Sequence, residues 1–186
     1  MHIIYRYRFW LLALLFAVNI ACFWPGFIQQ DSVGQYQQAI TGQYSDHHPP
    51  MMSLVWHYLD LVHQGEGLMF GLQLAMLYIA MAVLLLTLDH MLTIKQRTVW
   101  CLAPLLLPVY PQVLLYAVNI VKDVQFAFSF LLAASILAYY TIKHSKPPKL
   151  VVGVLFLLML YGAAVKYQGQ FCVVVLAVWL GSLLSL

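Results

Sequence analysis

Charged side chains are scarce in this chain of 186 residues. Asp, Glu, Lys and Arg make up 8% of it, whereas 63% of the residues are hydrophobic and the mean hydropathy is +0.85. Soluble domains contain about 25% charged residues. This composition excludes an ordinary soluble domain and predicts a polytopic membrane protein of the all-α class, a bundle of transmembrane helices. The net charge of +3 does not indicate nucleic acid as a partner.

Motifs that would assign a common chemistry are also missing. The three cysteines, Cys22, Cys101 and Cys172, lie in separate apolar runs without CxxC spacing, which argues against a disulfide framework and against a thiolate metal site. The chain has no Gly-rich phosphate-binding loop, no nucleophile elbow and no HExxH sequence. The first apolar run reaches Trp24 and ends in Pro-Gly instead of a small-residue cleavage site, which favours an uncleaved first span.

Six apolar runs approach the roughly 20 residues that a membrane-spanning helix needs. We therefore expect one membrane domain over 1–186, with about six spans at 9–25, 67–88, 99–117, 124–142, 150–165 and 171–186. The third run contains Pro104, Pro108 and Pro111, and prolines at that spacing predict kinks whose freed carbonyl groups need partners on neighbouring helices.

Two segments between the first and second spans differ from the rest. Residues 26–48 form a polar stretch of 23 residues without Lys or Arg, and we expect an outer loop there. Residues 49–63 begin with two prolines and predict a helix of roughly 22 Å, too short for the roughly 30 Å hydrocarbon core. We expect an interfacial or re-entrant helix. Its one polar stripe consists of Ser53, His57, Asp60 and Gln64, and we expect His57 and Asp60 of that stripe to face the lipid headgroups.

The distribution of basic residues predicts an orientation. If 49–63 does not span, seven of the nine Lys and Arg residues fall on one side, namely Arg6, Arg8, Lys95, Arg97, Lys143, Lys146 and Lys149. The positive-inside rule makes that side cytoplasmic, with the N-terminus there. The segment 26–48, the Lys122–Asp123 pair and the corner with Lys166 and Gln168 then share the outer face.

Asp31 is the candidate catalytic residue of this outer face. A carboxylate shielded by aromatic side chains suits a general base, and three such side chains are near in sequence, those of Trp24, Phe27 and Tyr36. The alternative is a structural role, in which Asp31 caps a short amphipathic helix. Its apolar face would consist of Val33, Tyr36 and Ile40.

Other polar residues of the outer face are candidates for substrate binding. Asp46, His47 and His48 suit a phosphate or sugar-hydroxyl contact, a divalent metal such as zinc, or only the turn before the helix of 49–63. Lys122, Lys166 and Gln168 suit an anionic headgroup or a lipid-linked phosphate, with Asp123 beside them. The alternatives are a helix-end pair for Lys122 and Asp123 and a lysine that reaches to the headgroups for Lys166.

The order of these segments resembles the N-terminal part of the GT-C superfamily of integral-membrane glycosyltransferases, such as the protein O-mannosyltransferases and the lipid A aminoarabinose transferases. The resemblance depends on PGFIQQDSVGQYQQA, on YSDHHPPMMSLVWHYLDLV, on the Pro-rich span, on VNIVKDVQFAFSFLL and on VKYQGQF. It implies transfer of a sugar from a polyprenyl-phosphate donor to an acceptor on the periplasmic side of a bacterial inner membrane. By resemblance, Asp31 matches the first-loop general base or, in some branches, a metal ligand.

The same resemblance assigns the remaining residues. His48 with Pro49 and Pro50 matches the start of the interfacial helix, and Lys122, Asp123 and Lys166 match charged residues near the donor phosphate. Family members have around a dozen spans, so we expect an N-terminal module of a larger architecture or a partner chain that supplies further spans. Ser32 follows Asp31 where the family often has a second acid, which Asp46 or Asp123 would have to supply.

Two other functions fit the sequence. A non-catalytic module would bind a lipid-linked phosphate through the lysines without using Asp31. A secondary transporter fits less well, because transporters carry ionisable residues near the middle of the membrane and the predicted spans have no charged residue there.

Overall fold

The apolar runs of the sequence form helices. The computed structural model describes residues 2–44 and 49–185 of the chain. Two strands of two residues each are the only extended elements in that part. In chain order the elements are α1 (His2–Arg6), α2 (Arg8–Phe23), β1 (Phe27–Ile28), α3 (Gln30–Thr41), α4 (Met51–Asp60), α5 (Gly67–Met91), α6 (Ile94–Trp100), α7 (Leu102–Leu106), a 3-10 turn (Leu107–Val109), α8 (Pro111–Val118), β2 (Asn119–Ile120), α9 (Lys122–Ile142), α10 (Lys149–Val165) and α11 (Gly169–Leu184).

Two helices, α5 and α9, are long and apolar enough to cross a membrane. The segment Ile94–Val109 and helix α8 together make a third candidate, although they are bent by 45° relative to each other. Helices α2, α10 and α11 are apolar but contain only 16 or 17 residues. The structure thus gives an all-helical protein with two or three candidate spans by length and composition.

The predicted kinks in the third apolar run are present. The helix is interrupted around Pro108, which lies in the 3-10 turn, and α8 starts anew at Pro111. Proline has no N–H to donate and its ring clashes with the preceding turn, so a continuous helix cannot form through these positions.

Helix α5 lies at the centre of the bundle. It packs against α9 along its length and also contacts α2 and α4. Its buried side chains form the middle of the main core, and they include Met69, Phe70, Leu74, Leu77 and Met81. A second apolar cluster joins α9, α10 and α11. The core therefore orders the helices as α2, α5, α9, α10 and α11.

The segment predicted as an outer loop, 26–48, contains a helix instead. Most of its described part forms α3, and Gly42 ends that helix in the left-handed conformation with φ +69°. Helix α4 is shorter than the predicted 49–63. The two helices pack against each other as a pair. Of the predicted apolar face of α3, Tyr36 lies against Trp56 of α4, whereas Val33 and Ile40 are 43% and 48% exposed.

The polar stripe of α4 faces α3, so the prediction that His57 and Asp60 face the lipid headgroups is wrong. Ser53 donates a hydrogen bond to Gln38, and His57 Nδ1 is bonded to the carbonyl oxygen of Ala39 at 2.7 Å. The carboxylate of Asp60 accepts one from the Tyr36 hydroxyl at 3.0 Å. Buried polar groups need such partners. The apolar side chains left exposed on α4 and directly after it are Leu54, Tyr58, Leu61 and Val62.

One end of the bundle carries the N-terminus and several of the basic residues. Arg8 forms a salt bridge with Asp89, which also accepts a hydrogen bond from Tyr5 at 2.8 Å. The ring of Tyr139 lies against His90 and below the ammonium group of Lys143. Helix α3, helix α4 and the starts of α5 and α9 lie at the opposite end.

Candidate functional site

A short parallel pairing of β1 with β2 brings two distant segments together. Phe27 is opposite Asn119, and Ile28 is opposite Ile120. Gly26 precedes β1 with φ +95°, and a Cβ there would lie 3.0 Å from the ring of Phe70 and 3.1 Å from Ile120. Only glycine adopts this conformation at so close an approach without strain. The pairing places the start of α3 beside the start of α9.

Side chains reinforce this junction. The Ser32 hydroxyl, which is fully buried, donates a hydrogen bond to the carbonyl oxygen of Ile120. The amide of Gln29 donates to the Asn119 side-chain oxygen at 3.3 Å, and the Asn119 amide donates to the carbonyl oxygen of Leu115 at 2.6 Å. Helix α3 is therefore attached to the segment between α8 and α9.

A small cavity of about 170 Å³ lies at this junction. Across it, the Lys122 ammonium is 4.0 Å from the Asp31 carboxylate. The Lys122 side chain is mostly buried, at 22% exposed, whereas that of Asp31 is 69% exposed. The lining residues are Gln29, Asp31, Tyr116, Asn119, Val121, Lys122 and Asp123.

A second ion pair adjoins the cavity. Lys166, directly after α10, forms a salt bridge with Asp123 in the first turn of α9. Its ammonium group also lies 5.7 Å from the ring centre of Phe126. Four of the predicted site residues, Asp31, Lys122, Asp123 and Lys166, are thus brought together although they come from three separate parts of the chain.

The other predicted site residues are not part of this group. Gln168 is exposed in the turn before α11, and its side chain makes no hydrogen bond within 2–44 and 49–185. Asp46, His47 and His48 lie outside the residues that the structure describes, so the predictions made for them remain predictions.

The surroundings of Asp31 differ from both sequence-based expectations. The predicted aromatic shield is wrong. Trp24 packs across Gly67, and the ring centre of Tyr36 lies 5.0 Å from that of Trp56, while the Tyr36 hydroxyl donates a hydrogen bond to Asp60. The expected N-cap role is also wrong, because Gln29 is the N-cap of α3 and Asp31 lies in the first turn. A carboxylate there is favoured by the dipole of the helix. Asp31 is therefore accessible to water and to a ligand.

The starts of α3 and α9 both lie at the cavity, and each carries a carboxylate in its first turn, Asp31 and Asp123. Neither α3 nor α9 has a side-chain hydrogen bond at its N-cap. The first N–H groups of a helix lack partners within the helix and carry partial positive charge. Together with Lys122 they suit an anionic group, while Asp31 is placed to accept a proton or a hydrogen bond beside that group.

Behind the cavity lies a polar network that the sequence does not predict, formed by the buried Gln73 and Gln125 and the part-buried Tyr161. The Gln73 amide donates to the carbonyl oxygens of Ala117 and Asn119, at 2.8 and 3.0 Å. Gln125 donates to Gln73 Oε1 at 3.0 Å, and Tyr161 donates to Gln125 Oε1 at the same distance. A signal was available for Gln73, which is the lone amide inside a long apolar run, whereas Gln125 lies at the start of its run, two residues from Asp123.

The cavity residues do not fit a resident divalent cation. Each of its carboxylates, Asp31 and Asp123, already has a lysine ammonium as a close partner. In 2–44 and 49–185, no three His, Cys, Asp or Glu side chains come together as a ligand set. Divalent metals need several carboxylate or imidazole ligands, so the described residues support charge compensation by lysine instead.

Known proteins give no further guide to this site. No protein-family model, no curated protein and no solved structure matches the chain.

Proposed function

We propose that all six apolar helical segments cross a bilayer. Helices α2, α10 and α11 are each roughly 24 to 26 Å long, a few ångströms short of the hydrocarbon core, and local thinning of the bilayer accommodates such a mismatch at modest cost. Lipid suits their exposed apolar side chains, which are more than 60% exposed at Phe156, Leu157, Phe171, Val174 and Val178.

The orientation follows from the basic residues. Seven of the nine Lys and Arg residues belong to connections on one side of the six proposed spans, and such an excess is typical of the cytoplasmic side. We place the N-terminus in the cytoplasm and the protein in a bacterial inner membrane. The cavity with Asp31 and Lys122 then faces the periplasm.

For this cavity we infer a glycosyltransferase activity of the GT-C type. A sugar would pass from a polyprenyl-phosphate donor to an acceptor hydroxyl on the outer face. The observation that carries the proposal is the position of the Asp31 carboxylate 4.0 Å from the Lys122 ammonium at one cavity. A proton acceptor and a cation that offsets charge on a departing phosphate lie side by side, as this transfer requires.

The proposed step uses these groups as follows. The acceptor oxygen forms a bond to the anomeric carbon while the bond from that carbon to the phosphate oxygen breaks. The electron pair of the broken bond stays with the leaving polyprenyl phosphate, and Asp31 takes the proton of the acceptor hydroxyl. Lys122, together with Lys166, offsets the negative charge on the phosphate.

The test is transfer of radiolabelled sugar from polyprenyl-phosphate donors in membranes that contain the full chain. General-base catalysis contributes at least about 100-fold, so we expect Asp31→Asn to reduce transfer by that factor while the protein still accumulates in the membrane. Glu66→Gln is the matched control, because Glu66 precedes α5 at the same end of the bundle but does not line the cavity. Undiminished transfer by Asp31→Asn would contradict the mechanism.

The second candidate is a module that binds a lipid-linked phosphate without transferring the sugar. The observation that favours it is the exposure of the Asp31 side chain, which lacks the enclosed environment usual for a general base. A partner chain would then supply further spans and the catalytic groups. This candidate predicts no transfer by the chain alone and donor binding that depends on Lys122 and Lys166 but survives Asp31→Asn.

A further inference from the structure

An apolar groove runs along α9 between α5 and α10. Two adjoining cavities of about 380 and 240 Å³ lie in it and share Val154 of α10 as a wall. The first is lined by Leu72 and Leu132, and the second by Val83 and Leu86. From Leu72 to Leu86 the groove follows α5 for roughly 21 Å. That length suits an extended long acyl chain.

The two ends of the groove differ in chemistry. Towards the end with Asp31, Tyr161 lines the groove, but its hydroxyl is already bonded to Gln125, which in turn bonds Gln73. Polar atoms at this end are therefore used within the protein, and Val55 of α4 also lies against the groove here. A ligand in the groove gains only apolar contacts at this end.

The opposite end of the groove is basic. Tyr139 lines it, and the Lys143 ammonium lies 3.4 Å from the Tyr139 hydroxyl, with the ring of His90 on another side. Lys149 is also at this end, as the first residue of α10, the helix whose Val151 lines the groove. Both lysines are exposed and available to a ligand.

No described carboxylate offsets these cations. Among the residues of 2–44 and 49–185, Asp89 is the one carboxylate at this end. It already forms a salt bridge with Arg8 and accepts a hydrogen bond from the Tyr5 hydroxyl. The mouth of the groove therefore keeps the positive charge of its lysines.

We propose that this groove binds an anionic glycerophospholipid. Its acyl chains would lie along α5 and α10, and its phosphate would lie against Lys143 and Lys149. Basic sites between transmembrane helices are suited to anionic headgroups. A zwitterionic lipid has the same chains but carries a cation beside its phosphate, and inorganic phosphate has no chains, so both should bind more weakly. The site lies at the opposite end of the bundle from Asp31 and does not depend on sugar transfer.

The experiment measures binding to the purified full chain in an uncharged detergent, by displacement of a fluorescent phosphatidylglycerol. The competitors are phosphatidylglycerol, phosphatidylcholine and inorganic phosphate. Each lysine near an anionic headgroup contributes about a fivefold increase in affinity. We therefore expect phosphatidylglycerol to bind at least about tenfold more tightly than phosphatidylcholine, and Lys143→Gln with Lys149→Gln to remove that preference.

Two further variants test whether binding depends on these two lysines in particular, and not on positive charge in general, and whether it depends on the apolar groove. Lys95→Gln removes a cation of the same end that belongs to α6 and not to α9 or α10, the helices beside the groove, and it should leave binding unchanged. Val154→Trp fills the place where the cavities meet and should weaken binding of both lipids. Val154 is 40% exposed and both lysines lie at the surface, so the variants can fold.

Any of four results overturns the proposal. Equal affinity for the two lipids, or equal losses in the double lysine variant and in Lys95→Gln, would mean that only diffuse surface charge acts. Unchanged lipid binding by Val154→Trp would place the chains elsewhere. Displacement by inorganic phosphate as effective as that by phosphatidylglycerol would show an anion site without lipid.

Discussion

The side-chain amide of Gln73 donates a hydrogen bond to the backbone carbonyl oxygen of Asn119 at 3.0 Å. A second bond, to Ala117, is 2.8 Å long. One fully buried side chain of α5 thus holds both the end of α8 and the strand β2. Lys122 follows Asn119 by three residues, so the position of the cavity wall depends on an amide deep in the bundle.

Replacing this amide should destabilise the protein. Gln73→Leu leaves the carbonyl groups of Ala117 and Asn119 without this donor and the Gln125 amide without its acceptor. A buried polar group without a partner costs about 1–3 kcal/mol, and we expect a loss of that size in the free energy of unfolding in detergent. Thr87→Val is the control, because the buried Thr87 hydroxyl bonds only its own helix, at Val83.

Removing both glutamines should cost less than the two single losses combined. In the double variant Gln73→Leu with Gln125→Leu, the hydrogen bond between the two amides is lost only once. Neither amide then remains in the core without the other as its partner. The same unfolding measurement gives the coupling energy of the pair. Strict additivity would mean that the 3.0 Å contact between them contributes nothing.

The helices could be predicted largely from sequence, but the polar contacts could not. The predicted span 150–165 corresponds closely to helix Lys149–Val165, because a long apolar run with polar residues at both ends defines where its helix begins and ends. Helix α3 was predicted only as the alternative to an outer loop, because much of its stability comes from α4 and β2, which no local pattern reveals. Asp31, Lys122, Asp123 and Lys166 could be grouped because the alternation of predicted spans puts all four on one side, whereas the partners of Gln73 depend on how the helices pack.

A close approach of α9 and α10 depends on Gly162. A Cβ at this position would lie 2.4 Å from the Phe130 ring and 2.6 Å from the Ser129 hydroxyl. Small residues permit such close packing of membrane helices. We expect Gly162→Ala to reduce the free energy of unfolding by about 1–3 kcal/mol, the usual cost of overpacking.

Gly153 on the same helix provides the matched control. A Cβ there meets nothing within 4 Å, so Gly153→Ala should be neutral or should stabilise by about 0.5–1 kcal/mol, since alanine favours helix. Both variants are compared by thermal unfolding in the same detergent. Similar losses in the two would show that α10 does not pack on α9 as described.

The pair of α3 and α4 should lose stability at alkaline pH. Burial, together with the hydrogen bond to Asp60 and its negative charge, raises the pKa of Tyr36 above its ordinary value of 10.0. A group whose pKa is raised on folding stabilises the fold fully below its unfolded pKa and loses that contribution as pH rises through the folded pKa. Stability should therefore fall above pH 10. The Tyr36→Phe variant should lose less over the same range, because it cannot ionise at that position.

The proposed crossing by α10 can be tested by cysteine labelling. In a variant without Cys22, Cys101 and Cys172, Tyr167→Cys and Lys146→Cys place a thiol at either end of α10 in exposed positions. In intact cells we expect an impermeant maleimide to label position 167 only, and position 146 only after permeabilisation. Labelling of both in intact cells would show that α10 does not cross, and the six-span proposal would fail.

Variants of Lys166 and Asp123 can distinguish a structural ion pair from a ligand-binding site. Their side chains are 30% and 54% exposed, and an exposed pair contributes at most about 1 kcal/mol to stability. Lys166→Gln should therefore change the unfolding free energy little, yet it should weaken binding of a polyprenyl-phosphate donor by about fivefold or more, because a cation beside the phosphate is lost. The two quantities are measured on the same purified protein, by denaturant titration and by donor binding.

Exchanging the two charges provides the decisive comparison. The double variant Lys166→Asp with Asp123→Lys keeps an ion pair and the net charge but moves the cation to the start of α9, where the helix dipole disfavours it. If Lys166 binds a donor phosphate, the exchange should not return donor affinity to the level of the original protein, although the pair is present again. Full recovery of affinity in the exchanged variant would mean that the pair only joins α9 to α10, and that Lys122 alone serves the phosphate.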